Sequence, residues 1–335
     1  MADKLKFAVC GYGGSFHMGR RHATWLQEAG AAELVAVCDP DAERQAAAQE
    51  DFPGIETYDD LDTLLSDSAA ELVFIVTPHN LHAPQAMTCL RAGRHVVLEK
   101  PMCLSTVEAD EMIALASEND RMVTVFHNRR WDGDYLAIKK VIEKGQIGEV
   151  FSVRGQQTRF GMRTDWWRAK KAITGGTMYD WGVHITDWVL GLVPSKIVNV
   201  TGFSHKRVWH DADVEDEVWA IIRFQNGAVG EVLLSHIRNL RQQRKWEIMG
   251  TEGNITFDWR ARNLEVTTHR DNRLTTEYVP TESTDYSPFY EGVLACVLEG
   301  GDPPVAPESA ARAIAVIEAQ MKSAESGQPV EIPGE

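Results

Sequence analysis

Between residues 5 and 126, short apolar runs rich in β-branched residues alternate with helix-like stretches, and that alternation leaves few folds open. The runs are Leu5–Cys10, Leu34–Cys38, Leu72–Thr77, His95–Leu98 and Met122–Phe126. Between them lie Arg20–Ala29, Ala42–Asp51, Leu61–Leu65, Ala83–Ala92 and Thr106–Glu118. A strand that is apolar along its whole length needs cover on both faces. The β-α-β-α order then predicts an α/β fold with a doubly wound parallel sheet. Gly30 and Gly93 each follow a helical stretch, where a residue tolerating positive φ ends a helix cheaply. Ser105, with Glu108 three positions on, has the spacing of a capping box.

The pattern changes after about residue 128. Helices are predicted over Asp134–Lys144 and Gly176–Leu190. Strands are predicted at Val150–Gln157, Ile197–Gly202, Val218–Phe224, Ala228–Leu234, Lys245–Met249, Asn254–Phe257 and Leu264–Thr268. Strands that follow one another without helices between them imply a mostly antiparallel sheet, and Asn226-Gly227 is a hairpin signal. Helices follow at Pro288–Leu298 and Glu308–Ala324. With 335 residues the chain exceeds one ordinary core. The expected organisation is a dinucleotide-binding domain over residues 1–128 and an α+β domain over 129–335.

Gly11-Tyr12-Gly13-Gly14-Ser15-Phe16-His17-Met18-Gly19 joins the first strand to the first helix. In that context a glycine loop reads as a phosphate cradle. One glycine makes the tight turn, a second lets the backbone approach the pyrophosphate, and a third lets helix and strand pack closely. Here the third glycine is displaced to Gly19. Asp39 ends the second strand, where a carboxylate accepts a hydrogen bond from a ribose 2′-hydroxyl and repels a 2′-phosphate. NAD is therefore expected, with NADP kept open by the nearby Arg44.

Two further segments carry charge. Glu99-Lys100-Pro101 follows the fourth strand, at the edge where ligands of such sheets bind. Asp180, His184 and Asp187 share one face of an otherwise apolar helix, and burying such groups without purpose is costly. Oxidation of an alcohol needs a group to take the hydroxyl proton. His184 suits it, with Asp180 orienting the ring and Lys100 stabilising charge on oxygen. The roles of His184 and Lys100 can also be reversed.

The formal charge of −15 argues against a nucleic-acid partner. No apolar run reaches the roughly 20 residues of a membrane span. Five cysteines without a C-x-x-C pair, and a start that runs directly into a strand, suggest a reduced cytoplasmic protein. His205, His210, Asp211, Asp213, Glu215 and Asp216 crowd one segment but match no compact metal motif. They are read as a solvated loop, with no metal expected.

Together these motifs resemble the glucose–fructose oxidoreductase / inositol dehydrogenase (Gfo/Idh/MocA) family of NAD(P)-dependent oxidoreductases. The resemblance rests on the glycine loop, Thr77-Pro78, Ala92-Gly93-Arg94-His95-Val96 running into Glu99-Lys100-Pro101, Asn128-Arg129-Arg130, and Gly175-Gly176 through Asp180, His184 and Asp187. It implies a Rossmann domain followed by an α+β domain with an open sheet serving a homodimer or homotetramer. It implies that Lys100, Asp180 and His184 form the catalytic set. It places Thr77, Pro78, His82, Glu99 and Asn128 along the cofactor. It makes Trp167, Arg168, Arg163 and Tyr179 candidates for contact with a sugar or polyol. Some relatives hold NAD tightly and use it for elimination, so a redox-assisted glycosidase or lyase is the alternative. A non-catalytic dinucleotide sensor is the third reading.

Overall fold

The computed structural model describes residues 4–13, 16–238 and 244–332. The chain forms two compact units. The first comprises Met1–His127 and Tyr286–Ala311, and the second Asn128–Asp285 and Arg312–Glu335. The expectation of one uninterrupted second domain over 129–335 therefore needs correction, because residues 286–311 pack with the first unit. Aromatic burial explains the return: Phe289 lies 4.9 Å from Phe126, ring centre to ring centre.

The first unit runs β1 (Leu5–Cys10), α1 (Met18–Glu28), β2 (Ala32–Cys38), α2 (Ala42–Asp51), β3 (Glu56–Tyr58), α3 (Leu61–Asp67), β4 (Leu72–Ile75), α4 (His79–Arg91), β5 (His95–Leu98), α5 (Thr106–Glu118) and β6 (Val123–Val125). The strands are parallel, in the order β3-β2-β1-β4-β5-β6. β4 is buried at every position, as a strand covered on both faces must be. The short, polar β3 was not expected, since Glu56-Thr57-Tyr58 has no apolar run to mark it. At α5 the Glu108 N–H donates to Ser105 Oγ at 3.2 Å, while the Glu108 carboxylate accepts from Leu104 N at 3.0 Å. The capping box closes one residue earlier than its usual form. α9 (Ser287–Glu299) completes the unit.

The second unit holds α6 (Gly133–Glu143), β7 (Val150–Thr158), α7 (Lys171–Thr174), a π-helical turn (Met178–Gly182), α8 (Val183–Leu192), and strands β8 (Ile197–His205), β9 (Glu217–Phe224), β10 (Val229–Ser235), β11 (Arg244–Gly250), β12 (Gly253–Asp258), β13 (Asn263–Arg270) and β14 (Arg273–Pro280). α10 (Pro307–Ser326) begins in the first unit and continues in the second. The sheet order is β14-β13-β12-β11-β7-β10-β9-β8, antiparallel except between β7 and β10. Glycines let α8 lie close on this sheet. A Cβ on Gly155 would come within 2.6 Å of Ile185, and one on Gly230 within 2.6 Å of Val189. On the face opposite α8, Arg154 pairs with Glu231 at 2.7 Å and Glu247 at 3.2 Å, its register neighbours on β10 and β11. Among the described residues no helix is long and apolar enough to cross a membrane.

Candidate active site

In the first unit the strand order reverses between β1 and β4, and ligands of doubly wound sheets bind outside the carboxyl ends at such a point. Gly11 sits there at φ +98°, and a Cβ on it would lie 2.7 Å from the Val76 carbonyl oxygen. A Cβ on Gly19 would lie 2.6 Å from the Gly11 carbonyl oxygen. The displaced third glycine thus still provides the close strand–helix approach. Around Gly13 a Cβ would meet nothing within 4 Å among the described residues, so its backbone borders open space. Gly14 and Ser15 lie outside the described residues. Phe16 is 49% exposed.

Asp39 is buried at the end of β2. Its carboxylate accepts from Tyr12 N at 2.7 Å and from Asp41 N at 3.0 Å. An ionised carboxylate has about four acceptor sites, so capacity for a ribose hydroxyl remains. Tying the glycine loop to β2 is a second duty that spacing alone does not reveal. Arg44 lies 3.8 Å from Asp41.

Thr77 and Pro78 lead from β4 into α4, and Thr77 Oγ1 donates to Gln85 at 2.6 Å. His82 departs from the expectation that it lines the cofactor. It is fully buried, with Nδ1 2.6 Å from the Pro101 carbonyl oxygen and Nε2 2.9 Å from that of Thr77. It braces these two loops from beneath. Burial pushes its pKa down, against the raising effect of the two carbonyls and Glu99. Glu99 accepts the Lys100 N–H at 3.0 Å, so the candidate lysine is anchored through its own backbone.

In the second unit the expected α-helix from Gly176 begins as a π-helical turn, a form common at functional sites. Glu215 fixes its start by accepting from Thr177 N at 2.9 Å. Asp180 lies in this turn, 3.0 Å from the Arg168 guanidinium. Arg168 in turn stacks over Trp166 and Trp167 at 5.1 and 5.0 Å. The second unit thus brings Trp167, Arg168 and Asp180 together. His184 lies in the first turn of α8, 5% exposed, with Trp181 edge-on at 5.4 Å. Asp187 is held by Arg130, down to 2.5 Å. Arg163 pairs with the exposed Asp165 at 2.9 Å and lies over Trp166. Tyr179 is 2% exposed, and that burial counts against its expected contact with substrate. Asn128 begins a 3₁₀ turn.

The acidic segment is only partly a solvated loop: His210, Asp211 and Asp213 are exposed. Asp216 is fully buried and accepts from the backbone N–H groups of Arg207, Val208 and Trp209, and Glu217 pairs with Arg238. One other feature carried no sequence signal. Lys245, 4% exposed, lies 2.7 Å from Asp134 and 3.6 Å from Asp132. Its ammonium also stands over Trp188 at 4.2 Å and Trp259 at 4.8 Å. Arg129 links Asp132 at 3.2 Å to the ring of Trp181 at 5.0 Å, and so to the neighbour of His184. His236 follows β10 with Nδ1 3.1 Å from Arg159 Nε; burial and that guanidinium lower its pKa to about 4.

Comparison with known proteins decides the family. The description "Oxidoreductase family, NAD-binding Rossmann fold" matches residues 5–127, and its partner "Oxidoreductase family, C-terminal alpha/beta domain" matches residues 139–332. The chain belongs to this Gfo/Idh/MocA oxidoreductase family. It is an NAD(P)-dependent oxidoreductase. The chain is 27% identical to scyllo-inositol 2-dehydrogenase (NADP(+)) IolW of Bacillus subtilis (strain 168) across 98% of this chain and 96% of that one. It is 27% identical to 1,5-anhydro-D-fructose reductase of Ensifer adhaerens across 90% and 91% of the two chains. The crystal structure of an NAD-binding protein from Listeria innocua superposes with a TM-score of 0.88 at 29% identity, covering 99% of this chain and 98% of that one.

Proposed function

We propose that this oxidoreductase transfers hydride between a nicotinamide and a carbon bearing a hydroxyl or ketone on a sugar, cyclitol or related polyol. The observation that carries the reading is the π-helical break before α8, which brings Asp180 against Arg168 and sets His184 one helical turn further on. When bound, the nicotinamide ring supplies the hydride acceptor or donor. The residues of this chain do the rest. Gly11, Gly13 and Gly19 shape the phosphate loop, and Asp39 receives the ribose, favouring NAD. Thr77, Pro78, Glu99 and Asn128 complete the cofactor surround. His184 exchanges the hydroxyl proton, Asp180 holds charge beside it, and Lys100 stabilises negative charge on the reacting oxygen. Trp167 and Arg168 offer a flat ring and a fork of donors to a polyol. The names of the inositol and anhydrofructose relatives support the substrate class. We read the exposed sheet face, with Phe203 42% and Tyr278 69% exposed, as the homo-oligomer contact of a cytoplasmic enzyme.

The test is purification, identification of retained nucleotide by mass spectrometry, and then NAD and NADP each offered with a panel of inositols and sugars. Steady growth of the reduced-nicotinamide absorbance with one compound class is expected. Substrate consumption with retained cofactor and no such absorbance would replace this reading with redox-assisted elimination.

A further inference from the structure

Three polar groups form a line through the aromatic interior of the first unit, and the hydride chemistry described above uses only the last. Tyr290 comes from α9, the segment that returns to this unit. Its hydroxyl lies 2.9 Å from His22 Nδ1, and His22 Nε2 lies 3.2 Å from a Glu99 carboxylate oxygen. The other Glu99 oxygen accepts the Lys100 N–H. Tyr290 and His22 are each 1% exposed. Phe126, Phe74 and Trp25 surround the imidazole at 4.7, 5.1 and 6.3 Å. In such surroundings an unmatched donor or acceptor is costly. One neutral arrangement satisfies every atom: the Tyr290 hydroxyl donates to Nδ1, and the Nε2–H donates to the carboxylate. Burial would push Glu99 up, but the His22 hydrogen bond, the Lys100 charge and the Lys100 N–H hold it below the usual range. Glu99 directly follows β5, one strand from the β1–β4 crevice.

We propose that His22 and Tyr290 are positioning residues that orient the Glu99 carboxylate toward the nicotinamide end of the crevice, biasing the first unit toward the oxidised ring. The inference rests on the nicotinamide reading above. An oriented carboxylate attracts a cationic ring and has no such attraction for the neutral reduced one, and the attraction is strong where the surroundings exclude water. Tyr290 and His22 touch no ligand; they act through Glu99.

The experiment titrates the intact protein with NAD and with NADH, without substrate, and compares Kd(NADH)/Kd(NAD). Tyr290→Phe keeps the ring and removes the donor; it is expected to lower the ratio about threefold. His22→Leu is expected to lower it about tenfold, and His22→Gln, which restores a donor, to recover most of the loss. Trp25→Phe disturbs the packing alone and is expected to lower Tm while leaving the ratio in place. If Tyr290→Phe and His22→Leu both lower Tm with the ratio unchanged, the line is structural and the proposal falls; should His22→Leu not fold, an unchanged ratio in Tyr290→Phe alone overturns it. If the wild-type protein binds neither nucleotide, the nicotinamide reading itself falls. Binding by wild type with unmoved variants overturns the relay alone.

Discussion

The two units hold their candidate site residues by different means. In the first, backbone does most of the shaping: Gly11 and Gly19 bring main chains together, Asp39 receives two backbone N–H groups, and His82 stands between two carbonyls. In the second, paired side-chain charge does it: Arg168 on Asp180, Arg130 on Asp187, and Lys245 on Asp132 and Asp134. Backbone recognition suits a partner that never changes, such as a dinucleotide phosphate. Paired side chains suit a pocket whose substrate differs from one relative to the next. A glycine loop is also readable as a motif, whereas ion pairs assembled from distant segments are not.

The sharpest way to break this contrast is Lys245→Met. Removing one partner of a buried ion pair costs about 3–5 kcal/mol, because Asp134 loses its ammonium partner while Asp132 keeps only Arg129. Denaturant unfolding checks it, and a loss below about 1 kcal/mol would mean that packing, not charge, holds the second unit. Gly11→Ala should cost about 2–3 kcal/mol, through its positive φ and its approach to Val76, and should abolish nucleotide binding. Gly13→Ala should leave Tm nearly unchanged while weakening NAD about tenfold; equal behaviour of the two variants would dissolve the distinction between a packing glycine and a cradle glycine.

A pH series sharpens the comparison further. His236 titrates near 4 when folded, below its ordinary 6.5, so folding favours its neutral form. Its contribution is complete above pH 6.5 and is lost as pH falls toward 4. Stability measured across that window should decline, and His236→Asn should flatten the slope; an identical slope in the variant would exclude His236 as its source. The smallest effect expected is from Asp39→Ser, which should shift the NADP/NAD preference about tenfold toward NADP. An unchanged ratio would mean that another residue reads the 2′ position.

How much was legible follows the same division. β1, β5, α2 and α5 lie where apolar periodicity and caps put them, because each element is dictated by residues within it. The edge strands β3 and β14 were invisible, being polar or exposed and held only by a neighbour. The return of α9 to the first unit, the Asp180–Arg168 pair and the Lys245 cluster depend on contacts between remote segments, which no local pattern encodes. Asp180 was legible as a charged residue worth explaining, but its guanidinium partner was not. The cluster from His205 to Asp216 read wholly as a solvated loop because sequence does not show that Arg207, Val208 and Trp209 turn their N–H groups inward.

The central proposal is that His184 exchanges the substrate proton and takes no part in holding the nucleotide. Its most direct test is His184→Ala, assayed for NAD binding by calorimetry and for NADH formation with the polyol that wild type oxidises. The account predicts turnover reduced by about 10²–10⁴-fold with the NAD Kd within about threefold of wild type. Retained turnover, or lost NAD binding as the sole defect, would contradict it.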